Sequence, residues 1–412
     1  MLKHLKTKIE NKKATIGIVG LGYVGLPLAE AFSKNFNITG YDLNKQRIKD
    51  LKNGKDTNLI NNKTKTFNSK LIFTHNLYDL QKSDFIIITV PTPIKINKSP
   101  DLSFLNSAFD SLVKLNLKNK IIILESTIYP TLSNLCIKKI QKKTKLKVNK
   151  DFVFAYSPER INPGDSLNRI NNIDKIISVS NKSFANLIKS LYKTIIKRVH
   201  TSSVLEESEL AKIIENAQRD INIGFINEIV MICHKLNIDP NKVINLASTK
   251  WNFLKFRPGL VGGHCIGVDP YYLTHKLKKI NYDPKIILAG RGINENYHKY
   301  LVNFLNLKKK IKKNSKILIM GASYKEDCND LRNSKSLELA SILNKKSKVS
   351  IFDPHIQYKK KYNFVKKPKR KYYDIIIITI HHTVFFKQKK FLYKNSIKKD
   401  GIIYDIRNAK FI

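Results

Sequence analysis

The segment of the chain with the clearest chemical potential is the loop around Cys265. It reads RPGLVGGHCIGVDPYYL over residues 257–273, with glycines on both sides of the Cys and Asp269 four residues beyond it. Glycines let a ligand approach the backbone closely, and a thiolate is a strong nucleophile where its surroundings favour the ionised form. The pattern is compatible with a catalytic thiol, and equally with a structural turn that buries an inert Cys.

A second chemical pattern lies near the N-terminus. Gly20-Leu21-Gly22-Tyr23-Val24-Gly25 follows the apolar run ATIGIVG and precedes a helical pattern, and Asp42 ends the next apolar run. The glycines permit a tight turn and a close approach of a pyrophosphate to a helix N-terminus. A carboxylate at position 42 would accept from both ribose hydroxyls and repel a 2′-phosphate, which favours NAD over NADP. A nicotinamide cofactor and a poised thiol in one chain predict an oxidation that passes through a covalent thioester.

Three polar residues share one face of a long helical pattern. Lys212, Asn216 and Asp220 are spaced at i, i+4 and i+8. An ammonium group beside an amide can stabilise an alkoxide or a tetrahedral oxyanion. The alternative is a polar stripe that faces solvent, which is common in a chain this rich in Lys.

Further polar motifs follow the ends of apolar runs, where open α/β sheets bind ligands. Three such motifs are VPTPI at 90–94, ESTIYP at 125–130 and YSPERINPGD at 156–165. A fourth polar motif, KEDCNDLRNS at 325–334, follows a glycine turn later in the chain. Glu125 and Glu159 supply carboxylates, and Ser126 and Thr127 supply hydroxyls. Each of these residues could instead be a turn or cap residue.

The elements that must position these groups alternate along the chain. Strands are predicted at 14–20, 37–42, 84–90, 120–126 and 152–157. A strand followed by a glycine turn is predicted at 315–324, and further strands at 348–354, 374–380 and 401–407. Helical patterns lie between them, which predicts two open α/β sheets. The second unit lacks a full GxGxxG and is expected to bind something other than the dinucleotide. The basic stretch at 359–373 is predicted to be a solvated loop.

Residues 205–236 predict one long helix that joins the two α/β units. Its apolar face could supply a dimer interface or a buried spine within one monomer. The predicted fold is α/β, with two Rossmann-like doubly wound domains joined by a long central helix and a helical dimerisation region. The predicted domains are 1–203, 204–310 and 311–412.

Composition narrows the class of protein. The net charge is +44, but only ten of the 76 basic residues are Arg, and the Lys residues are spread along the chain without an RNA-binding or helix-turn-helix motif. We therefore expect no nucleic-acid partner. No apolar run is long enough to cross a membrane, and the N-terminus lacks the apolar region of a secretory signal. Four scattered cysteines form no CxxC pair or zinc spacing, so we expect no metal and a reducing, cytoplasmic location.

With these motifs assembled, the chain resembles the UDP-glucose/GDP-mannose dehydrogenase family along nearly its whole length. The segments that carry the resemblance are GLGYVGLPLA, VPTP, PDLS, ESTIYP, YSPERINPGD, KIIENAQRDINIGFINE, KWNFLKFRPGLVGGHCIGVDPYYLTHK and LRNSKSLEL. The Cys265 loop is most similar to bacterial UDP-N-acetylhexosamine 6-dehydrogenases, because members that oxidise UDP-glucose usually carry a GFGGSCFxKD type of loop. Thr131, Phe104 and Asn329 depart from the family pattern, at positions that usually hold Gly, Pro and Pro.

The resemblance implies two successive NAD-dependent oxidations of a C6 hydroxyl to a carboxylate, for surface polysaccharide synthesis. UDP-N-acetylglucosamine is the expected substrate, and UDP-glucose, UDP-ManNAc and UDP-GalNAc are the alternatives. A basic binding protein with a vestigial dehydrogenase fold is a third class of function. The implied partners are the UDP-sugar, bound by the C-terminal domain, and a second copy of the chain in a homodimer.

The resemblance also implies roles for individual residues. Cys265 would form a thiohemiacetal and then a thioester, while Lys212 and Asn216 stabilise the oxyanions. Asp269 would order water or a proton near the thiol, Glu159 would act as the hydrolytic base, and Thr127 would position water. The implied cofactor contacts are Gly20, Gly22, Tyr23, Val24, Gly25, Asp42, Arg47, Pro91, Thr92, Thr127 and Arg332. The implied substrate contacts are Arg160, Lys212, Phe253, Leu254, Lys255, Arg257, Gly262 and Lys325.

Overall fold

A computed structural model describes residues 1–57, 64–160, 172–308, 310–356, 361–387 and 392–412. The chain forms two compact units. The first comprises Met1–Ile214 and Tyr271–Ile280, and the second comprises Glu215–Pro270 and Asn281–Ile412. The division into three domains stays a prediction.

The first unit is built on an eight-stranded sheet. Its strands are β1 (Thr15–Val19), β2 (Asn37–Tyr41), β3 (Leu71–Thr74), β4 (Phe85–Ile88), β5 (Ile121–Leu124), β6 (Val153–Tyr156), β7 (Lys175–Val179) and β8 (Val199–Ser202). They lie in the order β3-β2-β1-β4-β5-β6-β7-β8, and only the β6–β7 pair is antiparallel. Every residue of β4, β5 and β6 is buried, as expected for strands of a parallel sheet covered on both faces.

Helices cover this sheet. Those that begin in the first unit are α1 (Leu2–Glu10), α2 (Gly25–Ser33), α3 (Lys45–Lys52), α4 (Ser103–Leu112), α5 (Leu132–Thr144), α6 (Ala185–Lys193) and α7 (Leu205–Leu236). The start of α5 is unusual, because Thr131 adopts a left-handed φ of +79°. Its N–H donates to Glu209 Oε2 at 2.5 Å, and the Ser133 N–H donates to Oε1 at 3.0 Å. A buried carboxylate from α7 thus caps the N-terminus of α5, where a negative charge is favoured.

Helix α7 has 32 residues and spans the predicted range 205–236. The helices that follow it are α8 (Pro240–Ala247), α9 (Asp269–Lys278) and α10 (Lys285–Leu307). Helices α7 and α10 pack closely at Gly224 and Gly290, because a Cβ on Gly224 would lie 2.8 Å from the Gly290 carbonyl oxygen. Only glycine allows the two backbones to approach to this distance.

The second unit contains a five-stranded sheet in the order β10-β9-β11-β12-β13. Its strands are β9 (Lys316–Met320), β10 (Lys348–Phe352), β11 (Tyr373–Ile378), β12 (Ile397–Asp405) and β13 (Lys410–Phe411), and its remaining helices are α11 (Lys335–Leu343), α12 (Thr383–Lys387) and α13 (Leu392–Ser396). All strand pairs are parallel except β12–β13. One face of the sheet packs against α10 and α11 through a core that includes Leu301, Leu305 and Leu339.

The predicted fold class is confirmed: two parallel-rich α/β sheets are joined by a long central helix. The predicted loop at 359–373 needs one correction, because its last residue, Tyr373, begins β11 and is 1% exposed. Residues 359 and 360 of that loop lie outside the described part of the chain. None of the described helices combines the length and apolarity that crossing a membrane requires.

Candidate active site

The glycine turn between β1 and α2 has the geometry of a phosphate cradle. Gly20 has a φ of +93°, and a Cβ on Gly25 would lie only 1.9 Å from the Gly20 carbonyl oxygen. Among the described residues, a Cβ on Gly22 would meet no atom within 4 Å. The turn therefore requires glycine at 20 and 25 and leaves space at 22. It sits where the strand order reverses between β1 and β4, at the N-terminus of α2, and this fits a dinucleotide pyrophosphate.

Asp42 and Arg47 hold this turn in place. Asp42 accepts from the Leu21 N–H at 2.8 Å and from the Asn44 N–H at 2.9 Å. Buried Arg47 donates from Nε to the Leu21 carbonyl at 3.0 Å and pairs with Asp56 at 2.8 Å. The structure therefore gives Arg47 a supporting place beside the turn, and its contact with cofactor stays a prediction. Each Asp42 oxygen keeps a second lone pair for a ribose hydroxyl.

The other predicted cofactor contacts of the first unit lie at neighbouring positions. Tyr23 and Val24 are within the glycine turn, and Pro91 and Thr92 follow the end of β4. The Tyr272 hydroxyl donates to the Thr92 carbonyl at 3.0 Å. The VDPYYL end of the Cys265 motif thus returns to the first unit and fixes the VPTPI loop.

A buried acid–base cluster lies at the carboxyl ends of β5 and β6. The Lys175 ammonium donates to Glu125 at 2.7 Å and to Glu159 at 3.1 Å, and the Tyr192 hydroxyl donates to Glu125. Burial raises the pKa of Glu125 to about 7, although Lys175 opposes the shift. Burial also acts to lower the pKa of Lys175, but the two carboxylates outweigh it and raise that pKa. Glu159 thus has a cationic partner that can hold its carboxylate in position.

The remaining site residues predicted in the first unit are placed separately. Thr127 is partly buried two residues beyond Glu125, and Lys212 is buried on α7. Arg160 donates from Nη1 to the Asp174 carbonyl at 2.8 Å, so it is engaged with the chain itself. Residues 161–165, the second half of YSPERINPGD, lie outside the described residues.

In the second unit, the Cys265 loop is a hydrogen-bonded turn ahead of α9. The N–H groups of Val268 and Asp269 donate to the Cys265 carbonyl at 2.9 and 2.8 Å. Asn216 donates from Nδ2 to Asp269 Oδ2 at 2.6 Å, so these two predicted residues meet directly. Cys265 is partly exposed, whereas Cys136, Cys233 and Cys328 are buried. This exposure argues against an inert Cys within a core.

The segment Leu331–Asn333 lies against the same loop. The Gly263 N–H donates to the Arg332 carbonyl at 3.1 Å, and Asn333 Nδ2 donates to the Gly263 carbonyl at 2.9 Å. Gly263 has a φ of +82°, and a Cβ on Gly262 would lie 2.5 Å from the Asn333 carbonyl oxygen. The loop therefore needs glycine at both positions, and it brings Gly262 and Arg332 to the neighbourhood of Cys265.

Apart from Gly262 in the Cys265 loop, the predicted substrate contacts of the second unit fall into two groups. Lys325 lies beside the Tyr324 ring, with its Nζ 5.8 Å from the ring centroid. The others belong to the segment 253–257, which is largely exposed: Leu254 and Lys255 point to solvent, and Phe253 is partly buried. Arg257 donates to Asn245 of α8 at 3.1 Å. Contact of all these residues with a substrate stays a prediction.

Lys212, Asn216 and Asp220 do not form a polar stripe that faces solvent, so that alternative of the sequence analysis is wrong. Lys212 is 6% exposed and Asp220 is fully buried. Asp220 accepts from Arg291 Nη1 at 2.7 Å and from Asn294 Nδ2 at 2.7 Å. Burial raises the pKa of Asp220 to about 6, even though Arg291 opposes the shift. Asp220 thus lies on the same helix face as Lys212 and Asn216, but its role there is structural, because it binds Arg291 and Asn294.

One group of metal-ligand types occurs among the described residues. Asp327, His355 and His382 bring ligand atoms within 4.8 Å of one another. However, the Asp327 N–H donates to His382 Nδ1 at 3.0 Å, while His382 Nε2 faces Asp353 at 3.0 Å. Both ring nitrogens of His382 are therefore engaged in hydrogen bonds, and the group is a closed polar network.

Sequence reasoning did not identify Lys175, Tyr192 or Asp330 as site residues. Lys175 is one Lys among many, and Tyr192 lies in the amphipathic segment LIKSLYK, where its ring has the spacing of a core side chain. Asp330 stood inside a quoted motif without an assigned role. The signal that could have identified Asp330 is its position two residues before Arg332 in the motif. In the structure it accepts from Arg332 Nε at 2.9 Å.

Comparison with known proteins covers most of the chain. Residues 14–196 match the NAD binding domain of the UDP-glucose/GDP-mannose dehydrogenase family, residues 206–296 its central domain and residues 318–410 its UDP binding domain. The chain is 43% identical over 409 residues to the UDP-N-acetyl-D-glucosamine 6-dehydrogenase of Pseudomonas aeruginosa, covering 96% of this chain and 97% of that protein.

Two further relatives extend the comparison. Identity to the UDP-N-acetyl-D-glucosamine 6-dehydrogenase of Salmonella typhi is 42% over 406 residues, covering 95% of both chains. The solved structure of a UDP-D-ManNAc dehydrogenase from Pyrococcus horikoshii matches with a TM-score of 0.84 at 29% identity, over 96% of both chains. The similarity therefore extends over nearly the full length of all three relatives.

Proposed function

The chain belongs to the UDP-glucose/GDP-mannose dehydrogenase family, and from this premise we propose that it is an NAD-dependent UDP-N-acetyl-D-glucosamine 6-dehydrogenase. The observation that carries the proposal is the 43% identity to a protein of that name over 96% of the chain. The reaction would oxidise the C6 hydroxyl to a carboxylate and reduce two NAD. Its product would serve surface polysaccharide synthesis.

The residues of the site support a covalent route for the second oxidation. The nicotinamide of NAD, when bound, supplies the hydride acceptor. Cys265 would add to the C6 aldehyde and hold it as a thiohemiacetal, and loss of hydride would leave a thioester for water to hydrolyse. Asn216, which donates to Asp269, and the buried Lys212 would stabilise the oxyanions.

The hydrolytic base we assign is Glu159. Its carboxylate is held by Lys175 and by the Arg160 N–H at 2.6 Å, so its orientation is restricted. Thr127 follows β5, next to Ser126, whose hydroxyl donates to the Val90 carbonyl at 2.7 Å. A hydroxyl at 127 would position water, while the Glu159 carboxylate accepts its proton.

The experiment that tests the substrate is a comparison of turnover with four nucleotide sugars. UDP-GlcNAc, UDP-GalNAc, UDP-ManNAc and UDP-glucose would each be supplied with NAD, and NADH would be counted per sugar consumed. We expect UDP-GlcNAc to give the highest kcat/KM and two NADH per sugar. A higher value with UDP-ManNAc would transfer the assignment to the mannosamine branch, and no NADH with any sugar would favour the basic binding protein.

Cys265→Ser tests the covalent route. The hydroxyl is a poor nucleophile at neutral pH, so we expect uronate formation to fall by about 10³-fold or more. Cys233→Ser, at a buried Cys away from the turn, is the control and should retain wild-type turnover. Normal uronate production by the Cys265 variant would contradict the thioester route.

We also propose that the enzyme is a cytoplasmic homodimer. All four cysteines are free, which suits a reducing compartment. On α7, Ile214, Phe225, Ile232 and Leu236 are 49%, 51%, 45% and 62% exposed. Their spacing sets them along one side of the helix, and an apolar stripe of this kind suits a helix–helix interface.

A further inference from the structure

Lys175 is a buried cation at the edge of the first sheet where β5 and β6 end. It is the first residue of β7, which runs antiparallel to β6 in a register that pairs Tyr156 with Ser178. Three residues beyond that pair, the same register sets Glu159 across from Lys175, and their side chains form an ion pair at 3.1 Å. The antiparallel strand thus brings an ammonium group to the edge at which open α/β sheets bind ligands.

Two further groups fix the ammonium. Glu125, which follows β5, accepts from Lys175 at 2.7 Å and also from the Tyr192 hydroxyl. The Lys175 Nζ lies 5.5 Å from the centroid of the Tyr192 ring. The side chains of Lys175 and Glu125 are 3% and 0% exposed, whereas that of Glu159 is 10% exposed. Lys175 and Glu125 therefore form the inner part of the cluster, and Glu159 is the carboxylate at its outer side.

The charges of the cluster favour an ionised Glu159. Burial acts to lower the pKa of Lys175, but the two carboxylates outweigh it and raise that pKa, so Lys175 is cationic at neutral pH. Burial raises the pKa of Glu125 to about 7, although Lys175 opposes this shift. Near neutral pH Glu125 therefore carries only part of a negative charge, and the ammonium can also stabilise the charge of Glu159.

We propose that Lys175 is a positioning residue for thioester hydrolysis, which orients the Glu159 carboxylate and stabilises its charge, while Glu125 and Tyr192 hold Lys175 in place. The inference rests on the proposed function, because it deepens the role given there to Glu159. The Glu159 Oε2 accepts from Lys175 at 3.1 Å, and its Oε1 accepts from the Arg160 N–H at 2.6 Å. Both oxygens are thus tied to the chain, which restricts rotation of the carboxylate.

The hydrolytic step balances with water alone. The water oxygen forms a bond to C6 of the thioester while Glu159 accepts one proton of that water. The carbon–sulfur bond then breaks, its electron pair leaves with the Cys265 sulfur, and the resulting acid loses its proton to solvent. Glu159 returns its own proton to solvent. Lys175 keeps its protons throughout and acts through its charge and its hydrogen bond.

Lys175→Met tests the proposal, because it removes the ammonium, and Glu125 can then take a proton instead of staying charged in the interior. With NAD and the best nucleotide-sugar substrate, we expect kcat at pH 7 to fall about 10²-fold, because the base loses its orientation and its counter-charge. Both oxidations precede hydrolysis, so kcat/KM for the sugar should stay near the wild-type value. Stopped-flow absorbance should show a burst of two NADH per active site, and mass spectrometry should find the acyl group on the Cys265 peptide after an acid quench.

The pH dependence separates an effect of charge from a loss of structure. A cation 3.1 Å from a carboxylate favours the ionised form, so without it Glu159 ionises only at higher pH. We expect the acid limb of the kcat profile, measured between pH 5.5 and 9, to move up by about one pH unit in Lys175→Met. The difference from wild type should shrink as the pH rises.

Lys120→Met is the matched control, because Lys120 is another buried Lys of this sheet, at the opposite end of β5 from Glu125. Its ammonium donates to the Gln81 and Ser83 carbonyls at 2.6 Å each. This variant should lose stability without a burst, an acylated Cys265 or a shifted acid limb. Lys175→Met combined with Glu125→Gln serves if the single variant fails to fold, because it removes both buried charges together, and it should show the same burst.

The outcomes separate this inference from the proposed function. A wild-type kcat for Lys175→Met would overturn the inference, and so would a lower kcat/KM with no burst and no acylated Cys265, because Lys175 would then be only structural. A loss of kcat that is equal at every pH would also overturn it, since removal of the charge must shift the profile. A wild-type protein that forms no NADH with any nucleotide sugar would instead overturn the dehydrogenase, and the inference with it.

Discussion

At the scale of single residues, Asp220 differs most from what its position in the sequence indicated. It continues the spacing of Lys212 and Asn216, yet it is buried against Arg291 and Asn294. A buried ion pair adds little net stability, but removal of one partner leaves an uncompensated charge. The pair therefore fixes the register between α7 and α10, and with it the helix face that carries Lys212 and Asn216.

Asp220→Ala should lower the free energy of unfolding by about 3–5 kcal/mol, because Arg291 would remain buried without its counter-charge. Urea denaturation followed by circular dichroism would measure the loss. Asp220→Asn retains an oxygen acceptor and should cost less, and Asp220→Ala with Arg291→Met should recover part of the stability. A loss below about 1 kcal/mol for Asp220→Ala would contradict the argument.

At the scale of elements, the backbone at the start of α5 is strained at Thr131, which the sequence analysis had named as a departure from the family pattern. Thr131 stands where the family resemblance predicts glycine, and its φ of +79° is one that a β-branched residue rarely adopts. The backbone is held there because its N–H reaches Glu209. The cap thus compensates the strain that Thr introduces.

Thr131→Gly should relieve that strain and stabilise the protein by about 1 kcal/mol, because its main capping contact comes from the backbone N–H. Thermal melts would show the gain as a higher Tm. Lys138→Gly, at an exposed position within α5, is the control and should lose about 1 kcal/mol, because glycine there loses helix propensity. A lower Tm for Thr131→Gly would mean that the Thr side chain itself stabilises the cap.

The same type of glycine turn occurs in both sheets, and the sequence patterns revealed only part of the second one. In the first sheet the Leu21 N–H donates to Asp42 at the end of the adjacent strand, and in the second the Ala322 N–H donates to Asp353 at 2.7 Å. Gly321 matches Gly20 with a φ of +95°. The second turn lacks the GxGxxG spacing, so its glycine was recognisable from the sequence, but the role of Asp353 became clear only once the strands were paired.

The long helix, both glycine turns and the family were predictable because periodicity and glycine spacing are local signals. The family matches confirm the resemblance that the motifs carried. Lys175 and Tyr192 were not predictable, because they reach Glu125 only through the pairing of distant strands. Strands β3, β7 and β8 were also missed, since they are short and their runs mix polar with apolar residues.

At the scale of the whole molecule, the exposed stripe on α7 makes assembly testable. Phe225→Glu sets a charge in the middle of the stripe and should convert a dimer into a monomer of 47.5 kDa. Size-exclusion chromatography with light scattering would measure the mass. Leu307→Glu, at an exposed apolar residue outside the stripe, is the control and should remain dimeric. A dimeric mass for Phe225→Glu, or a monomeric wild type, would contradict the proposed interface.

The threonine at the end of one strand in each sheet has a consequence for folding kinetics. Thr89 donates to the Val19 carbonyl at 3.0 Å, and Thr379 donates to the Met320 carbonyl at 3.0 Å. The strands that precede them, FIII and DIIII, present almost identical side chains at successive positions. A slip by one residue would therefore change hydrophobic volume little, but it would turn each hydroxyl to the opposite face and leave it unpaired. These two hydroxyl hydrogen bonds therefore specify the register of their strands, and we expect them to disfavour folding intermediates in which the strands pair out of register.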